Sequence, residues 1–408
     1  MRPCKGYVTK EFKMIKHAKK CDNVKYAVRD ILSVADEAKK KGLPLRFLNI
    51  GDPLKFDHAT PSHMIEAVHK AMINGQNGYC PSSGTDEAID AVRRQAKRNG
   101  IDNIQDIFLT LGAGEAIEIA LTALLDPGDN VLTPFPGYPL YTAVQAKLDV
   151  KENPYFLDEE NNWMPDPDDI RKKINSKTKA IVLINPNNPT GSVCSKELLM
   201  EIVKIAEEKE LLILSDEIYD KILFDGVKHI SIASLNQDLP VITFNGISKS
   251  YLAPGFRVGW GIASGKKERL SGFLDALNKL LRARICGCTP TMASVKAALD
   301  GPQDHLAALI KKTTIRRDMT VNMMNDIEGV TCVKPQGAFY AFPKLDVKND
   351  AEYVKHLIME TGVVVVPGSG FGQKPGTQHM RIVFLPNEET LKDAYLKIAE
   401  FTNKWRKK

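Results

Sequence analysis

A lysine and an arginine lie eight positions apart in the stretch TFNGISKSYLAPGFRVGW, residues 243–260. Lys249 follows a hydrophobic run and a turn of small residues, which places it at the mouth of a predicted buried strand. A lysine amine has an ordinary pKa of about 10.4 and becomes a nucleophile where its surroundings favour loss of the proton. Arg257 follows Pro254 and Gly255 in a loop, and a guanidinium presents planar, paired donors to anions. The stretch therefore suits a nucleophilic lysine accompanied by an anion-binding arginine.

Strand-like apolar runs alternate with helical patterns through the middle of the chain. The runs are DIFLTLG (106–112), NVLTP (130–134), KAIVLINP (179–186), ELLILSDEIY (210–219), PVITFNGIS (240–248) and RVGWGIAS (257–264). Helical periodicity fills residues 114–126 and 195–210, with Ser195 as a predicted N-cap. Apolar strands separated by helices predict an α/β fold with a mostly parallel sheet covered on both faces. Such sheets bind ligands at the carboxyl ends of their strands.

Residues that could do chemistry collect at four of these strand ends. Gly112, Ala113 and Gly114 open a helix after the first run, where backbone N–H groups and the helix dipole could hold a phosphate. NPNNPTG, SDEIY and NGISK end three later runs. Each motif alone is a weak signal. LGAGEA lacks the third glycine of a dinucleotide fingerprint and fits a tight strand-to-helix turn equally well, and we interpret GSGFG (368–372) as a plain glycine loop.

The composition is that of an ordinary globular protein. A chain of 408 residues suits two domains, or one large domain with a smaller one appended. The 56 basic and 50 acidic side chains give a formal charge of +6, which indicates a solvated surface rather than a nucleic-acid patch. The N-terminal MRPCKGYVTKEFKMIKHAKK lacks the apolar region of a signal peptide, and no apolar run approaches the roughly 20 residues that span a bilayer. We therefore expect a soluble, cytoplasmic protein that binds neither membrane nor nucleic acid.

The seven cysteines are scattered along the chain. Cys286 and Cys288, in CGC, have the wrong spacing for a redox pair or a zinc site, and no second pair follows at ligand spacing. We expect reduced thiols and no metal.

Several ordered motifs carry a family resemblance. NPNNPTG, SDEIYD, SKSYLAPGFRVGW and HMRIVF occur in the order and spacing of the pyridoxal-phosphate aminotransferases of fold type I, the aspartate aminotransferase family. The chain resembles that family over roughly residues 20–405. LNIGDPLKFD, GYCPSSG, INPNNPTG and KPQGAFYAFPK are most similar to the alanine (glutamate-pyruvate) aminotransferases of bacteria and archaea. The resemblance implies pyridoxal 5'-phosphate as cofactor.

The resemblance also assigns roles around the cofactor. Lys249 matches the Schiff-base lysine that later moves the Cα proton, and Asp216 matches the carboxylate that keeps the ring nitrogen protonated. Asn188 and Tyr219 match the residues that hydrogen-bond the ring's phenolate oxygen, and Tyr138 matches the aromatic side chain stacked on the ring. The implied phosphate ligands are Arg257, Ser248 and the backbone N–H groups of Ala113 and Gly114.

Further matches concern the substrate and the subunit arrangement. Arg381 of HMRIVFL matches the bidentate receptor of the substrate α-carboxylate, with Asn188 also a substrate contact, and Gly51 leaves room for the same carboxylate. Tyr79 of GYCPSSG matches a tyrosine that reaches the phosphate of the neighbouring subunit. The resemblance therefore implies a homodimer whose active sites are each built from two chains.

Two positions depart from the family pattern. Residue 114 is Gly where many relatives place Ser or Thr against the phosphate, and Pro254 lies in a loop that more often has a hydroxyl or a small residue. Both departures concern phosphate affinity rather than the reaction.

The resemblance implies two domains of unequal size. Residues 47–300 would form the large cofactor-binding domain, with a mostly parallel seven-stranded sheet between helices. Residues 301–408 would form a smaller α/β domain, to which residues 1–46 contribute an arm and a segment. KPQGAFYAFPK, GVVVVPGSGFG and HMRIVFL are predicted strands of a second sheet.

The expected reaction is ping-pong transfer of an amino group, with L-alanine and 2-oxoglutarate giving pyruvate and L-glutamate. Alternatives are an aspartate or broad-specificity aminotransferase, or a lyase or decarboxylase with the same cofactor. A transcription regulator with an aminotransferase-like domain is disfavoured, because the first 50 residues hold no clear helix-turn-helix signal.

Substrate choice points to NVKYAVRD near the N-terminus. In similar sequences a Tyr-x-x-Arg pair opens the N-terminal helix, which folds over the substrate side-chain pocket. Tyr26 and Arg29 are three residues apart and would share one helix face. Our hypothesis is that Tyr26, together with Arg29, lines the pocket, and an ordinary amphipathic helix with an exposed arginine is the alternative.

Overall fold

The computed structural model describes residues 14–407. The expectations on residues 1–13, including Cys4 and the start of the N-terminal arm, lie outside this range. The strands are β1 (Arg46–Phe47), β2 (Ile104–Thr110), β3 (Asn130–Phe135), β4 (Asn153–Asp158), β5 (Met164–Pro165), β6 (Thr178–Ile184), β7 (Leu212–Asp216), β8 (Val241–Gly246), β9 (Gly259–Ser264), β10 (Val330–Thr331), β11 (Tyr340–Ala341), β12 (Lys344–Leu345), β13 (Val363–Val364), β14 (Val366–Pro367) and β15 (Met380–Val383).

The α-helices cover both faces of the main sheet and surround the short C-terminal strands. They are α1 (Ala27–Asp30), α2 (Leu32–Lys40), α3 (Ser62–Ile73), α4 (Asp86–Arg98), α5 (Ala113–Leu124), α6 (Leu140–Lys147), α7 (Pro167–Lys173), α8 (Lys196–Glu208), α9 (Lys267–Ala283), α10 (Thr289–Asp300), α11 (Asp304–Asn325), α12 (Asp350–Thr361) and α13 (Glu388–Trp405).

The main sheet has the strand order β2-β9-β8-β7-β6-β3-β4-β5. Strands β4, β3, β6, β7 and β8 are parallel, whereas β9 runs antiparallel to both β8 and β2. The two-residue β5 forms a hairpin with β4 and adds an eighth strand to the seven expected. The α/β fold with a mostly parallel central sheet is confirmed, although the sequence pattern did not single out β4.

Helices on both faces explain why the central strands are so apolar. In β6, Ala180 and Val182 pack into the core that includes residues of α5, α6 and α9. The alternate residues Ile181 and Leu183 pack into the other core, with residues of α4, α8 and α10. A strand whose two faces are both buried reads as a continuous hydrophobic run.

Two helix starts follow the sequence prediction. Ser195 caps α8, because its hydroxyl oxygen accepts from the backbone N–H of Leu198 at 3.3 Å. Gly112 precedes α5 with a φ of +81°, a backbone conformation that favours glycine, and so allows β2 to turn directly into the helix.

The C-terminal strands form small sheets beside the main one. Strands β11, β15 and β14 make an antiparallel three-stranded sheet, which confirms the predicted second sheet. Strand β13 pairs in parallel with β1 instead, so the chain around residue 47 hydrogen-bonds to the C-terminal region. The division into residues 1–46, 47–300 and 301–408 stays a prediction.

Two further findings concern residues 14–407. No helix within this range has the length and apolar composition to cross a membrane. The six cysteines in the range are free thiols, and Cys194 and Cys332 are buried.

Candidate active site

The segment from Asn49 to Gly51 brings a lysine and an arginine together. Lys249, three residues beyond the end of β8, donates from Nζ to the backbone carbonyl of Gly51 at 2.7 Å. Arg381, in β15, donates from Nη2 to the backbone carbonyl of Asn49. Carbonyls two residues apart on an extended chain are no more than about 7 Å from each other. The structure therefore brings the two predicted cations to the same short segment, although they are 132 positions apart in the sequence.

Asp216 ends β7 on the same edge of the sheet, and its side chain is buried. Burial raises the pKa of the Asp216 carboxyl to about 7, because the charged form loses its hydration. A hydrogen bond from the backbone N–H of Ile218 to Oδ1 of Asp216, at 3.3 Å, lowers the pKa of this carboxyl and so partly offsets the effect of burial. A buried carboxyl with a raised pKa gains most from a cationic partner placed against it.

Arg381 is a buried cation set between aromatic rings. Only 2% of the residue is exposed, and its guanidinium lies 4.6 Å from the ring centroids of both Tyr340 and Phe371. Nη1 donates to Oδ1 of Asn188 at 3.1 Å, and Nε is buried without a partner within the described range. Among residues 14–407 no carboxylate forms an ion pair with Arg381. This arrangement suits a carboxylate ligand that brings the missing acceptor and charge.

Four tyrosines form two hydroxyl pairs near these groups. The Tyr219 hydroxyl is 2.8 Å from that of Tyr340, and the Tyr26 hydroxyl donates to that of Tyr138 at 2.9 Å. Tyr219 and Tyr340 are almost fully buried. Burial raises the pKa of Tyr138 and of Tyr219 well above the ordinary value, so both keep their protons at neutral pH.

A tight backbone cradle lies at the start of α5. A Cβ atom at Gly112 would clash with the guanidinium of Arg257, and one at Gly259 would clash with the backbone of Ala113. Arg257 donates from Nη2 to the carbonyl of Leu111 at 3.1 Å and remains exposed. The remaining predicted phosphate ligands are the half-buried Gly114, in the first turn of α5, and the buried Ser248. Helix N–H groups beside a guanidinium form an anion site.

Two predicted residues lie apart from this cluster. Tyr79 is 85% exposed on the surface of the chain. Arg29 is also exposed and lines a cavity of about 870 Å³ with Arg46, Ile50 and Lys55. Helix α1, which carries Arg29, has only four residues and begins after Tyr26, so the expected shared helix face is not formed. The structure thus brings Tyr26 to the candidate site without Arg29.

Comparison with known proteins decides the family. Residues 47–398 match the family model described as aminotransferase class I and II. The chain belongs to this family.

The similarity extends over nearly the whole chain. The glutamate-pyruvate aminotransferase AlaA of Escherichia coli strain K12 is 40% identical over 95% of this chain and 98% of that protein. The alanine aminotransferase of Mycobacterium tuberculosis strain H37Rv is 38% identical over 95% of this chain and 92% of its own length. The structure of an alanine aminotransferase from Pyrococcus furiosus has a TM-score of 0.92 at 44% identity, and the match covers 95% of this chain and 100% of that one. The chain is an enzyme that transfers amino groups between amino acids and 2-oxo acids.

Sequence reasoning missed two aromatic residues of this aminotransferase. Tyr340 lies in KPQGAFYAFPK, which indicated only a strand, and Phe371 lies in the GSGFG interpreted as a glycine loop. The glycine loop is a 3-10 helix (Gly368–Phe371), and it presents the Phe371 ring to Arg381. The signal that could have found both aromatic residues was Arg381, because a buried cation favours aromatic neighbours.

The raised pKa of Asp216 predicts how the aminotransferase responds to pH once it has been unfolded, freed of bound small molecules and refolded. The folded protein keeps a proton on Asp216 between about pH 4 and 7, whereas the unfolded chain has released it, with an ordinary value of 3.8. The free energy of unfolding should therefore fall as pH rises through this window. Asp216→Asn removes this dependence, so between pH 5 and pH 8 the variant should gain about 3 kcal/mol relative to the parent. Parallel thermal unfolding of both proteins at pH 5 and pH 8 measures the difference, and an unchanged difference would contradict it.

Proposed function

We propose that this aminotransferase uses pyridoxal 5'-phosphate and converts L-alanine and 2-oxoglutarate to pyruvate and L-glutamate. The relatives named as glutamate-pyruvate and alanine aminotransferases support this choice of substrates. An aspartate or broad-specificity aminotransferase is the alternative, and a lyase with the same cofactor is a less favoured one.

The observation that carries the proposal is the convergence of Lys249 and Arg381 on the segment from Asn49 to Gly51. Suppose that the carboxylate of an amino acid binds the buried guanidinium of Arg381, which lies at the Asn49 carbonyl. The Cα of that amino acid is then within reach of a side chain at the nearby Gly51 carbonyl. That side chain is Lys249, whose Nζ lies at the Gly51 carbonyl. The spacing suits proton transfer at Cα by the lysine amine.

The residues present fit the proposed cofactor. Among residues 14–407 the buried Asp216 forms no ion pair, and a protonated ring nitrogen would provide a cationic partner. The cradle at Gly112 and Arg257 suits a phosphate dianion. The groups that would hold the cofactor are Lys249, Asp216, Asn188, Tyr219, Tyr138, Ser248, Arg257 and the backbone N–H groups of Ala113 and Gly114. Bound there, it would supply an electron sink for the charge that develops at the substrate Cα.

Each side chain then has a separate task. Arg381 binds and orients the substrate carboxylate, with Asn188 fixed against Nη1. The contact with Arg381 identifies Oδ1 of Asn188 as its acceptor atom, so Nδ2 remains to donate to the cofactor. Lys249 takes the proton from the substrate Cα onto Nζ and would then donate it from the same nitrogen to a carbon of the cofactor. Tyr219 would donate to the cofactor's phenolate oxygen, and Asp216 would keep its ring nitrogen protonated.

The exposed Tyr79 supports a homodimer. A tyrosine that is 85% exposed makes few contacts within its own chain, so it is free to reach the phosphate end of a second subunit. A site shared in this way is completed only when two chains associate. The cytoplasmic location expected from the sequence stays a prediction.

Lys249→Ala should reduce transamination by at least about 10²–10⁴-fold, because Lys249 is the proposed proton carrier and covalent anchor. Lys204→Ala, on the exposed surface of α8, is the matched control and should retain activity. Treatment of the purified parent with borohydride should fix the cofactor to a peptide that contains Lys249. A label on another lysine would reject the assignment and with it the proposed mechanism.

Asp216→Asn and Arg257→Ala should fail in different ways. The Asp216 variant should keep its cofactor through dialysis but exchange the Cα proton of alanine with solvent far more slowly than the parent. The Arg257 variant should instead bind the cofactor about 10- to 150-fold more weakly, the range expected for loss of a charge-assisted hydrogen bond. Dialysis and deuterium exchange on both variants measure the two effects. The same defect in both would show that the separated roles are wrong.

Tyr26→Phe should lower kcat/KM for glutamate by about 10- to 150-fold and change that for alanine little. The physical reason is loss of a hydrogen bond to the distal carboxylate, which alanine lacks and to which the Tyr26 hydroxyl would turn its single proton from Tyr138. Arg29→Ala, measured in parallel, shows whether an effect on glutamate comes from the Tyr26 hydroxyl or from the charge of the exposed Arg29. Steady-state kinetics with alanine, glutamate and aspartate test this. Equal losses on alanine and glutamate, or none on either, would exclude a pocket role for Tyr26.

A further inference from the structure

Tyr340 has no assigned role, yet its hydroxyl lies within the candidate active site. The residue is in β11, is almost fully buried, and has its Oη 2.8 Å from that of Tyr219. The two rings meet edge to face, with centroids 5.7 Å apart and planes at 87°. The guanidinium of Arg381 lies over the Tyr340 ring, 4.6 Å from the ring centroid.

Gly51 fixes where the Tyr340 hydroxyl lies. A Cβ atom at Gly51 would clash with the Tyr340 hydroxyl, so this hydroxyl lies directly against the Gly51 backbone. The carbonyl of the same glycine accepts from Lys249. Tyr340 is therefore held at the point where Lys249, Tyr219 and Arg381 meet, and no other described hydroxyl pairs with that of Tyr219.

We propose that Tyr340 is a positioning residue, whose hydroxyl donates to the Tyr219 hydroxyl and directs the Tyr219 proton toward the cofactor's phenolate oxygen. The inference rests on the proposed function. A tyrosine hydroxyl has a single proton, so Tyr219 can donate either to Tyr340 or to the cofactor. A donor on its oxygen leaves that proton for the cofactor and strengthens the bond it makes there.

The charges around the Tyr219 and Tyr340 hydroxyls favour donation from Tyr340 to Tyr219. A guanidinium against the Tyr340 ring attracts electron density from it, which makes the phenolic O–H a better donor. The ionisable groups that face the two hydroxyls or lie beside them are Tyr26, Tyr138, Lys249 and Arg381.

The test is the pH at which the visible absorption of the cofactor-bound protein changes. A phenolate that loses its donor carries more negative charge and holds a proton more firmly on the nitrogen that Lys249 contributes. Tyr219→Phe should therefore raise the midpoint pH of this absorption change. Tyr340→Phe should raise it by a smaller amount, about 0.3 to 1 pH unit. The double variant should match Tyr219→Phe alone, because Tyr340 acts through Tyr219.

Tyr353→Phe is the matched control, since it also removes one buried hydroxyl, which is hydrogen-bonded at 2.6 Å to Thr402 in α13. Its midpoint should equal that of the parent. Gly51→Ala gives a second route to the same answer, because the new methyl group must displace the Tyr340 hydroxyl, and its midpoint should also rise. This variant decides the question where Tyr340→Phe fails to fold.

Two results would overturn the role of Tyr340. One is a midpoint in Tyr340→Phe and Gly51→Ala that equals that of the parent. The other is a double variant whose shift is the sum of the two single shifts, since Tyr340 would then act independently of Tyr219. Failure of the proposed function is distinct, because the parent itself would then show no cofactor absorption or would carry the borohydride label away from Lys249.

Discussion

The two hydrogen bonds on the segment from Asn49 to Gly51 are the constraint on which the rest of the site depends. Lys249 comes from the end of a main-sheet strand, whereas Arg381 comes from the small antiparallel sheet. Like charges that are held on the same short segment repel each other. Backbone carbonyls accept from both and so hold two positive groups near each other without a carboxylate between them. The space that remains suits a substrate that carries the negative charge itself.

Burial sets the electrostatic character of the site. Asp216 and Arg381 are both almost inaccessible to solvent, and burial shifts the pKa of each toward the neutral form. Groups in this condition cost stability in the absence of ligands and gain most when an opposite charge arrives. The protein therefore holds its ligand-binding groups in an unfavourable state that ligands relieve. Their separation onto different sheets keeps the two from neutralising each other.

Much of the fold and site could be predicted, because the relevant signals are local in sequence. The buried parallel strands are apolar runs, and Asp216 and Lys249 follow two of them at the ligand-binding edge. Long-range contacts left no such signal. Tyr340 meets Tyr219 across 121 residues, and a tyrosine in a short strand indicates nothing about its partner. The Tyr-x-x-Arg spacing in turn predicted a shared helix face, but α1 begins only after Tyr26 and carries Arg29 to the exterior.

The departures from the family pattern acquire a physical explanation at the phosphate end. A Cβ atom at Gly114 would lie 3.3 Å from Leu140 Cδ2, so a serine or threonine there would press on a leucine at the start of α6. Pro254 begins a 3-10 helix (Pro254–Phe256), and its carbonyl accepts from Nη1 of Arg257 at 2.9 Å. Proline fixes its own φ and so stiffens the turn that presents this carbonyl. The chain thus lacks a hydroxyl at residue 114 but restrains Arg257, which faces the same cradle. Because a restrained donor loses less entropy when it binds an anion, this restraint favours phosphate binding.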